Sequence, residues 1–222
     1  MSGKKSNYIN GAWVEGEGEI NNINPSDTND LIDTYSNASS SQLNDAVSSA
    51  KVAQKKWEKV GIEKRANILN DIGSEIIKQS KEIGTLLSRE EGKTLPEGIG
   101  EVVRSGQQFQ YYAASALRQF GENIASTREG VSVEMTREPV GVCGIISPWN
   151  FPIAIAAWKA APAMAFGNAV VLKPASQTPA SAIALTKIIS NQKDIPEGLF
   201  NLVLGGGRTI GHQISGHSGI DA

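Results

Sequence analysis

Asn150 lies in a short segment whose residue types suit carbonyl chemistry, Ser147-Pro148-Trp149-Asn150-Phe151-Pro152. Two prolines restrict the backbone on either side of the asparagine. If a strand ends just before this segment, the Asn150 side-chain NH₂ can point into a pocket and stabilise an oxyanion formed by attack on a carbonyl. Asn150 is equally suited to cap a following helix. The residues alone leave these two interpretations about even.

A second polar segment, Lys173-Pro174-Ala175-Ser176, directly follows the apolar run 170–172. A lysine at a strand end, with a hydroxyl three residues on, can bind ribose hydroxyls or phosphate. Taken alone, the segment is better explained by a solvated loop lysine.

A third segment, 204–211, is rich in glycine, which lets a diphosphate approach backbone N–H groups at the start of a helix. The dinucleotide fingerprint Gly-x-Gly-x-x-Gly requires a glycine at position 210, but Ile210 stands there and Gly211 follows. The spacing is one residue too long, and a flexible turn explains the segment equally well.

Cys143 is the only cysteine, and its surroundings argue against a role as nucleophile. It lies within the apolar run 140–145, where a buried thiol is usually inert. His212 and His217 share a predicted helix without further ligand residues nearby, so no metal site is predicted. The sequence contains neither the Gly-x-Ser-x-Gly elbow of serine hydrolases nor the phosphate loop of nucleoside triphosphatases.

The elements that would position these segments alternate between strand and helix. Apolar runs and helical periodicity predict strands at 140–147, 168–172 and 199–204, with helices at 153–166 and 178–190. This order predicts an α/β fold with a Rossmann-like parallel sheet and flanking helices, in which ligands bind at the carboxyl ends of strands. The strand at 140–147 reads as buried on both faces.

Further elements are predicted upstream of the sheet. They are a hairpin turning at Asn10-Gly11, a turn at 24–27, a strand at 31–35, helices at 40–60, 63–89 and 96–120, and a strand at 131–136. Gly92 is the expected stop of the second helix, and Pro96 suits the first turn of the third.

The composition is that of a soluble globular protein. The 222 residues are 40% hydrophobic and 20% charged, with a net charge of −2. No block of basic residues suggests binding to nucleic acid or to a membrane surface, and prolines and polar residues interrupt the apolar region 140–171. A single cysteine excludes an intrachain disulfide, and we expect a cytoplasmic protein.

In this order, the segments resemble the aldehyde dehydrogenase superfamily, over the whole chain. The matching motifs are Asn10–Trp13, Asn24-Pro25, Glu138–Gly144, Pro148–Pro152, Gly167–Pro174, Gln177–Pro179, Pro196–Gly198 and Asn201–Gly205. The resemblance implies oxidation of an aldehyde to a carboxylic acid with NAD(P) as hydride acceptor. It implies that a cysteine thiolate attacks the aldehyde and that water activated by a glutamate hydrolyses the thioester.

The resemblance also implies roles for individual residues. Asn150 matches the oxyanion-hole asparagine, Lys173 the lysine that grips the adenosine ribose, and Gly207 and Gly211 glycines near the adenosine and diphosphate. Pro148 and Trp149 match residues of the cofactor channel. The expected cofactor-binding set is Ile146, Ser147, Pro148, Trp149, Asn150, Lys173, Pro174, Ala175, Ser176, Gly207 and Gly211.

Ser176 departs from many NAD-preferring relatives, which carry a glutamate at this position. A carboxylate there binds ribose hydroxyls and repels a 2′-phosphate. Because Ser176 and Lys173 stand there instead, we predict that the complete enzyme accepts NADP, either in preference to NAD or with dual specificity. The Lys-Pro-Ala-Ser sequence also resembles the semialdehyde dehydrogenase branches.

Family members are about twice as long, so we expect residues 1–222 to form an incomplete NAD(P)-binding domain without the catalytic domain. The catalytic cysteine and glutamate would lie beyond Ala222, and the chain alone is predicted to be inactive. Residues 122–137 look like the family's oligomerisation arm, which implies a homodimer or homotetramer at full length. Two alternatives remain: a non-catalytic nucleotide-binding or structural module, and acyl-phosphate or acyl-CoA chemistry on the same scaffold.

Overall fold

The computed structural model describes residues 5–118 and 121–222 as a mixed α/β structure. Its strands are β1 (Lys5–Ile9), β2 (Ala12–Glu15), β3 (Glu17–Ile23), β4 (Leu31–Asn37), β5 (Glu122–Ala125), β6 (Ser132–Met135), β7 (Val142–Ile146), β8 (Ala169–Lys173) and β9 (Phe200–Leu202). Its helices are α1 (Ser40–Trp57), α2 (Ile62–Lys78), α3 (Ser80–Glu91), α4 (Leu95–Ala116), α5 (Ala154–Ala165), α6 (Pro179–Ser190) and α7 (His212–Ser215), with a π-helical turn at Gly207–Gly211.

The central sheet has the strand order β2-β1-β9-β8-β7, and β7, β8 and β9 are parallel, as the alternation of elements predicted. The crossovers run through α5 and α6. Because both crossovers move along the sheet in the same direction, right-handed connections put α5 and α6 on one face. All five residues of β8 are buried, so the opposite face is covered too, by α1, which packs on β7, β8 and β9.

The amino-terminal hairpin joins this sheet in antiparallel orientation, with Tyr8 opposite Leu202. Its turn residues Asn10 and Gly11 have φ of 50° and 82°, as expected for an Asn-Gly hairpin. Two buried amides attach the hairpin to the end of β9. Asn7 Oδ1 accepts from the Leu204 N–H at 2.7 Å, and the Asn10 N–H donates to Asn201 Oδ1 at 3.0 Å.

The expectation that β7 is buried on both faces was wrong. Val142 and Ile145 are buried, whereas Ile146 is exposed. The strand lies at the end of the five-stranded sheet, and the residues along its free side are Asp221 and Ala222. Gly144 N–H donates to Ala222 O at 2.8 Å and Ala222 N–H to Val142 O at 3.3 Å, which is the parallel pattern.

The single helix predicted at 63–89 is two helices, α2 and α3, separated at Gln79. Its φ and ψ of −89° and 9° leave the helical range. The apolar period continues from Ile76 to Ile83 across the break, so the sequence pattern does not reveal it. Gly92 ends α3 in the left-handed conformation, as predicted. The predicted end of the next helix, Phe120, lies outside the described residues.

The helices α2, α3 and α4 form a further layer that packs on α5 and α6. A buried carboxylate links this layer to α6, which has no cap from its own N-cap residue. Glu90 accepts from the Ala180 N–H at 2.6 Å and from the Ser181 N–H and hydroxyl at 2.9 and 2.6 Å. Its Oε1 also accepts from Asn22 Nδ2 of β3 at 2.5 Å.

The strands β5 and β6 form a separate antiparallel hairpin in which all eight strand residues are exposed. The predicted strand at 131–136 is therefore confirmed in position. Among the helices of the described residues, none is both long enough and apolar enough to cross a bilayer.

Candidate functional site

The carboxyl ends of β7 and β8 meet at one edge of the sheet. Ile146 is opposite Lys173 in the parallel register, and the Ser147 N–H donates to Lys173 O at 3.1 Å. The first two predicted segments therefore start side by side. Ser147 is buried, and its hydroxyl has no hydrogen-bond partner within the described part of the chain.

Lys173 is buried, with a relative exposure of 3%, so it is not the solvated loop lysine that its sequence alone favoured. Its ammonium donates to Pro174 O at 2.6 Å and to Gly205 O at 2.9 Å. Burial lowers the pKa of Lys173 from its usual value. Since an ammonium has three N–H donors, one remains for a ligand.

Ser176 lies at the same place. Its hydroxyl donates to the carbonyl of Gly205 at 3.2 Å, which is the oxygen that Lys173 also contacts. Between them, Pro174 is buried and Ala175 is half-buried. The loop after β8 is thus connected to the loop after β9 by two side chains that share one backbone acceptor.

A π-helical turn at Gly207–Gly211 accounts for the unusual spacing of the glycines in the segment 204–211. This turn holds one more residue than an α-helical turn, and Gly211 N–H donates to Gly206 O at 3.1 Å. A Cβ on Gly211 would lie 3.4 Å from Cε of Lys173, so the lysine stem packs against this glycine. A Cβ on Gly207 would meet nothing within 4 Å.

These elements enclose a groove of about 570 Å³, here called the β-end groove. It is lined by Ile146, Gly207, Arg208, Gly211, His212 and Ser215. Arg208 is exposed and has no ion pair with any residue the structure describes. One side of the groove is therefore open glycine backbone, and it carries a free cation.

Asn150 lies in the exposed turn between β7 and α5, together with Pro148 and Trp149. The interpretation of Asn150 as a helix cap is wrong, because Ile153 is the N-cap of α5. The first N–H groups of that helix bind Glu101 instead. The Asn150 side chain makes no hydrogen bond within residues 5–118 and 121–222, so its amide is available to a ligand.

A second groove of about 620 Å³, here called the α5 groove, contains Asn150. Apolar side chains of the turn and of α5 line one side, and charged side chains from the region of α3 and α4 line the other. The residues are Phe151, Ala154, Ile155 and Trp158, with Glu91, Lys93, Glu97, Gly100, Glu101 and Arg104 opposite. Sequence reasoning missed Lys93, Glu101 and Arg104, which no motif marks.

The predicted site residues therefore fall into two groups, which the chain from Ile146 to Asn150 connects. Ile146, Lys173, Ser176, Gly207 and Gly211 gather around the β-end groove. Asn150 lines the α5 groove, and exposed Trp149 precedes it in the connecting turn.

Cys143 lies within β7 opposite Val170. Burial raises the pKa of its thiol, and the charge of Asp221 raises it further. Both effects disfavour the nucleophilic thiolate.

The prediction that His212 and His217 share a helix was wrong. The helix α7 ends at Ser215, and His217 Nε2 lies 3.0 Å from Asn44 Oδ1.

Comparison with known proteins identifies the family. The model of the aldehyde dehydrogenase family matches residues 13–222. The α-ketoglutaric semialdehyde dehydrogenase of Bacillus subtilis is 39% identical over 97% of this chain and 44% of its own length. The α-ketoglutarate semialdehyde dehydrogenase of Haloferax volcanii is 35% identical over 100% of this chain and 46% of its own length.

Solved structures of similar proteins have the same fold over nearly the whole of this chain. Betaine aldehyde dehydrogenase of Staphylococcus aureus, in complex with NAD⁺, matches with a TM-score of 0.94 and 32% identity over 98% of this chain and 45% of that one. An NADP-dependent enzyme of E. coli matches with a TM-score of 0.94 and 29% identity over the same shares. The chain thus spans less than half the length of these relatives. From residue 13 to residue 222, the chain belongs to the aldehyde dehydrogenase family.

Proposed function

We propose that the whole protein oxidises an aldehyde to a carboxylic acid with NAD(P), and that residues 1–222 supply the cofactor groove and the oxyanion amide. The observation that carries the proposal is the convergence of the loops after β7, β8 and β9. Lys173 contacts the Gly205 carbonyl and Gly211 of the loop after β9, and its own carbonyl accepts from the Ser147 N–H of the loop after β7, so the three loops meet at Lys173. Ligands of parallel α/β sheets bind at such strand ends.

The residues around the β-end groove fit a dinucleotide. Gly207 leaves backbone open to a diphosphate, and Ile146 offers an apolar surface. The remaining N–H of Lys173 suits a ribose hydroxyl. When bound, NAD(P) supplies the hydride acceptor of the reaction. We propose Pro148 and Trp149 as residues of the channel between this groove and Asn150.

The role proposed for Asn150 follows from its free side chain. An amide without a hydrogen-bond partner among the described residues, in an exposed turn beside the α5 groove, can donate to an oxyanion at the reacting carbon. Cys143 is the only cysteine of the chain and is poorly suited to attack. We therefore propose that the nucleophilic thiolate and the general base come from residues outside 1–222, and that this chain alone is inactive.

Use of NADP, either favoured over NAD or with dual specificity, is part of the proposal. Ser176 places no carboxylate beside Lys173, and Arg208, which has no ion pair among the described residues, adds a cation to the groove. A 2′-phosphate would therefore meet positive charge and no opposing charge from these residues. The similarity to the two semialdehyde dehydrogenases favours a semialdehyde as substrate.

The remaining proposals concern organisation. Residues 1–222 would form an incomplete NAD(P)-binding domain without the catalytic domain, with 122–137 as the oligomerisation arm of a homodimer or homotetramer. We also propose a cytoplasmic location, because a chain with a single cysteine has no intrachain disulfide, as is typical of proteins in a reducing compartment.

The test compares residues 1–222 with a protein of the relatives' length. Fluorescence titration with NADP and with NAD measures binding, and NAD(P)H absorbance measures aldehyde oxidation. We expect residues 1–222 to bind cofactor without turnover and the whole protein to do both. Lys173→Met should weaken binding by roughly 10-fold or more, as loss of a charge-assisted hydrogen bond does. Lys193→Met, in the surface segment after α6, is the control.

Three outcomes would contradict parts of this proposal. Turnover by residues 1–222 alone would refute an external nucleophile. Binding that is insensitive to Lys173→Met would refute the groove assignment. Cofactor binding by the whole protein without oxidation of any aldehyde would favour a non-catalytic nucleotide-binding module.

A further inference from the structure

The turn that carries Asn150 is held by a lysine from the other side of the α5 groove. Lys93 Nζ donates to the backbone oxygen of Asn150 at 3.0 Å. The same ammonium lies 4.4 Å from the centre of the Phe151 ring, which is a cation–π distance. One side chain from the connection between α3 and α4 thus contacts two successive residues of the turn.

Glu101 holds the other end of the same turn. Its Oε1 accepts from the N–H groups of Ile153 and Ala154, each at 3.1 Å. Its Oε2 accepts from Lys93 Nζ at 2.6 Å. With 2% of its side chain exposed, this carboxylate is shielded from solvent, which strengthens its contacts.

The two side chains therefore form one unit that fixes the segment 150–154 at both ends. The segment needs such support, because the Asn150 side chain is exposed and has no hydrogen bond among the described residues. A group that stabilises an oxyanion must be held within roughly 0.5 Å of its productive position. A backbone contact on the same residue is a direct means of holding it.

We propose that Lys93 and Glu101 are positioning residues for the Asn150 amide. The proposal rests on the oxyanion role proposed for Asn150. Lys93 acts on the backbone, so its contact survives replacement of the Asn150 side chain. In an Asn150→Ala protein it would hold the turn without any amide to position. The contribution of Lys93 to kcat should therefore depend on the presence of Asn150.

A double-mutant cycle in the whole protein tests this dependence. Asn150→Ala should lower kcat by roughly 100-fold or more, as loss of an oxyanion donor does. Lys93→Met should lower kcat by roughly 10-fold with little change in the KM for cofactor. An Asn150 amide displaced from its position would lose part of its stabilisation of the oxyanion. The double variant should be no slower than Asn150→Ala alone.

Two further variants separate positioning from folding. Lys93→Arg keeps a cation beside Glu101 but changes the position of the N–H donors relative to the Asn150 backbone oxygen. The protein should therefore fold while kcat falls. Lys64→Met, which breaks an exposed ion pair with Asp194, should leave kcat unchanged. Hydrogen exchange at residues 150–157 should be faster in Lys93→Met than in Lys64→Met.

The outcomes distinguish this inference from the proposed function. If Asn150→Ala keeps full kcat, the oxyanion role itself is wrong. If Asn150→Ala is slow but Lys93→Met matches Lys64→Met, only the positioning role is wrong. Equal fold-losses from Lys93→Met in the presence and absence of Asn150 would likewise overturn positioning.

Discussion

Glu90 binds Ser181 twice, through the serine N–H and through its hydroxyl. Together with the Ala180 N–H and Asn22 Nδ2, these contacts occupy both oxygens of a buried carboxylate. Glu101 contacts the start of α5 in a similar way. The two helices that connect the parallel strands are therefore both capped from the layer of α3 and α4, which ties the sheet to that layer.

We expect Glu90→Gln to lower the free energy of unfolding by about 1–3 kcal/mol, because an amide NH₂ would replace an acceptor facing the Ser181 donors. Urea unfolding followed by circular dichroism measures the change. Glu82→Gln, near the exposed start of α3, should change stability by less than about 0.5 kcal/mol. Equal stabilities of the two variants would show that the Glu90 contacts contribute nothing.

We expect Cys143 to react slowly with iodoacetamide at neutral pH. Burial and Asp221 raise its pKa, so the thiolate fraction at a given pH falls and the reaction accelerates only at more alkaline pH than for an ordinary thiol. Asp221→Asn removes one of the two causes and should shift the rate profile toward lower pH. Alkylation of wild-type Cys143 at pH 7 as fast as that of free cysteine would contradict a raised pKa for this thiol.

We expect Ser176→Glu to lower kcat/KM for NADP relative to NAD by roughly 10-fold or more in the whole protein. The new carboxylate would repel a 2′-phosphate and could accept from ribose hydroxyls instead. Ser176→Ala, which adds no charge, is the matched control and should largely keep the NADP preference. A strong preference of the wild type for NAD, or an unchanged ratio of the two kcat/KM values in Ser176→Glu, would refute the NADP proposal.

We expect Val133→Asp to reduce the molar mass of the whole protein in light scattering. Ile124 is opposite Val133 in the β5–β6 hairpin, and alternation puts Met135 on the same face. All three are more than 40% exposed, so this apolar face suits a partner subunit. Glu134→Ser, on the other face, should leave the mass unchanged. An unchanged mass for Val133→Asp would refute the arm assignment.

The order of the parallel strands and of α5 and α6 was predictable because β7 and β8 are compact apolar runs, each followed by unusual polar residues. The strand ends at Ile146 and Lys173 could be placed for that reason, and the structure puts them in register. The break at Gln79 could not be predicted, since the apolar period continues across it. The exposed side of β7 was missed because Ile146 belongs to an otherwise apolar run.

The candidate site was predictable only where local chemistry marks it. Asn150, between two prolines, and the glycines of 205–211 stand out in the sequence. Lys93 and Glu101 do not, because their contacts with 150–154 depend on the packing of α4 against α5. The favoured interpretation of Lys173 as solvated failed for a similar reason. Its burial depends on the loop after β9, where the Gly205 carbonyl accepts from the ammonium and Gly211 packs against the lysine stem.

The attachment of β1 to β9 constrains the order in which the protein can assemble during synthesis. Asn7 and Asn10 are made nearly two hundred residues before their buried partners, Leu204 and Asn201. At typical translation speeds of about 5–20 residues per second, the hairpin waits roughly 10–40 s for its place in the sheet. During that interval its unpaired strand edge is available for wrong pairings, so this hairpin is a segment of the nascent chain that a chaperone would protect.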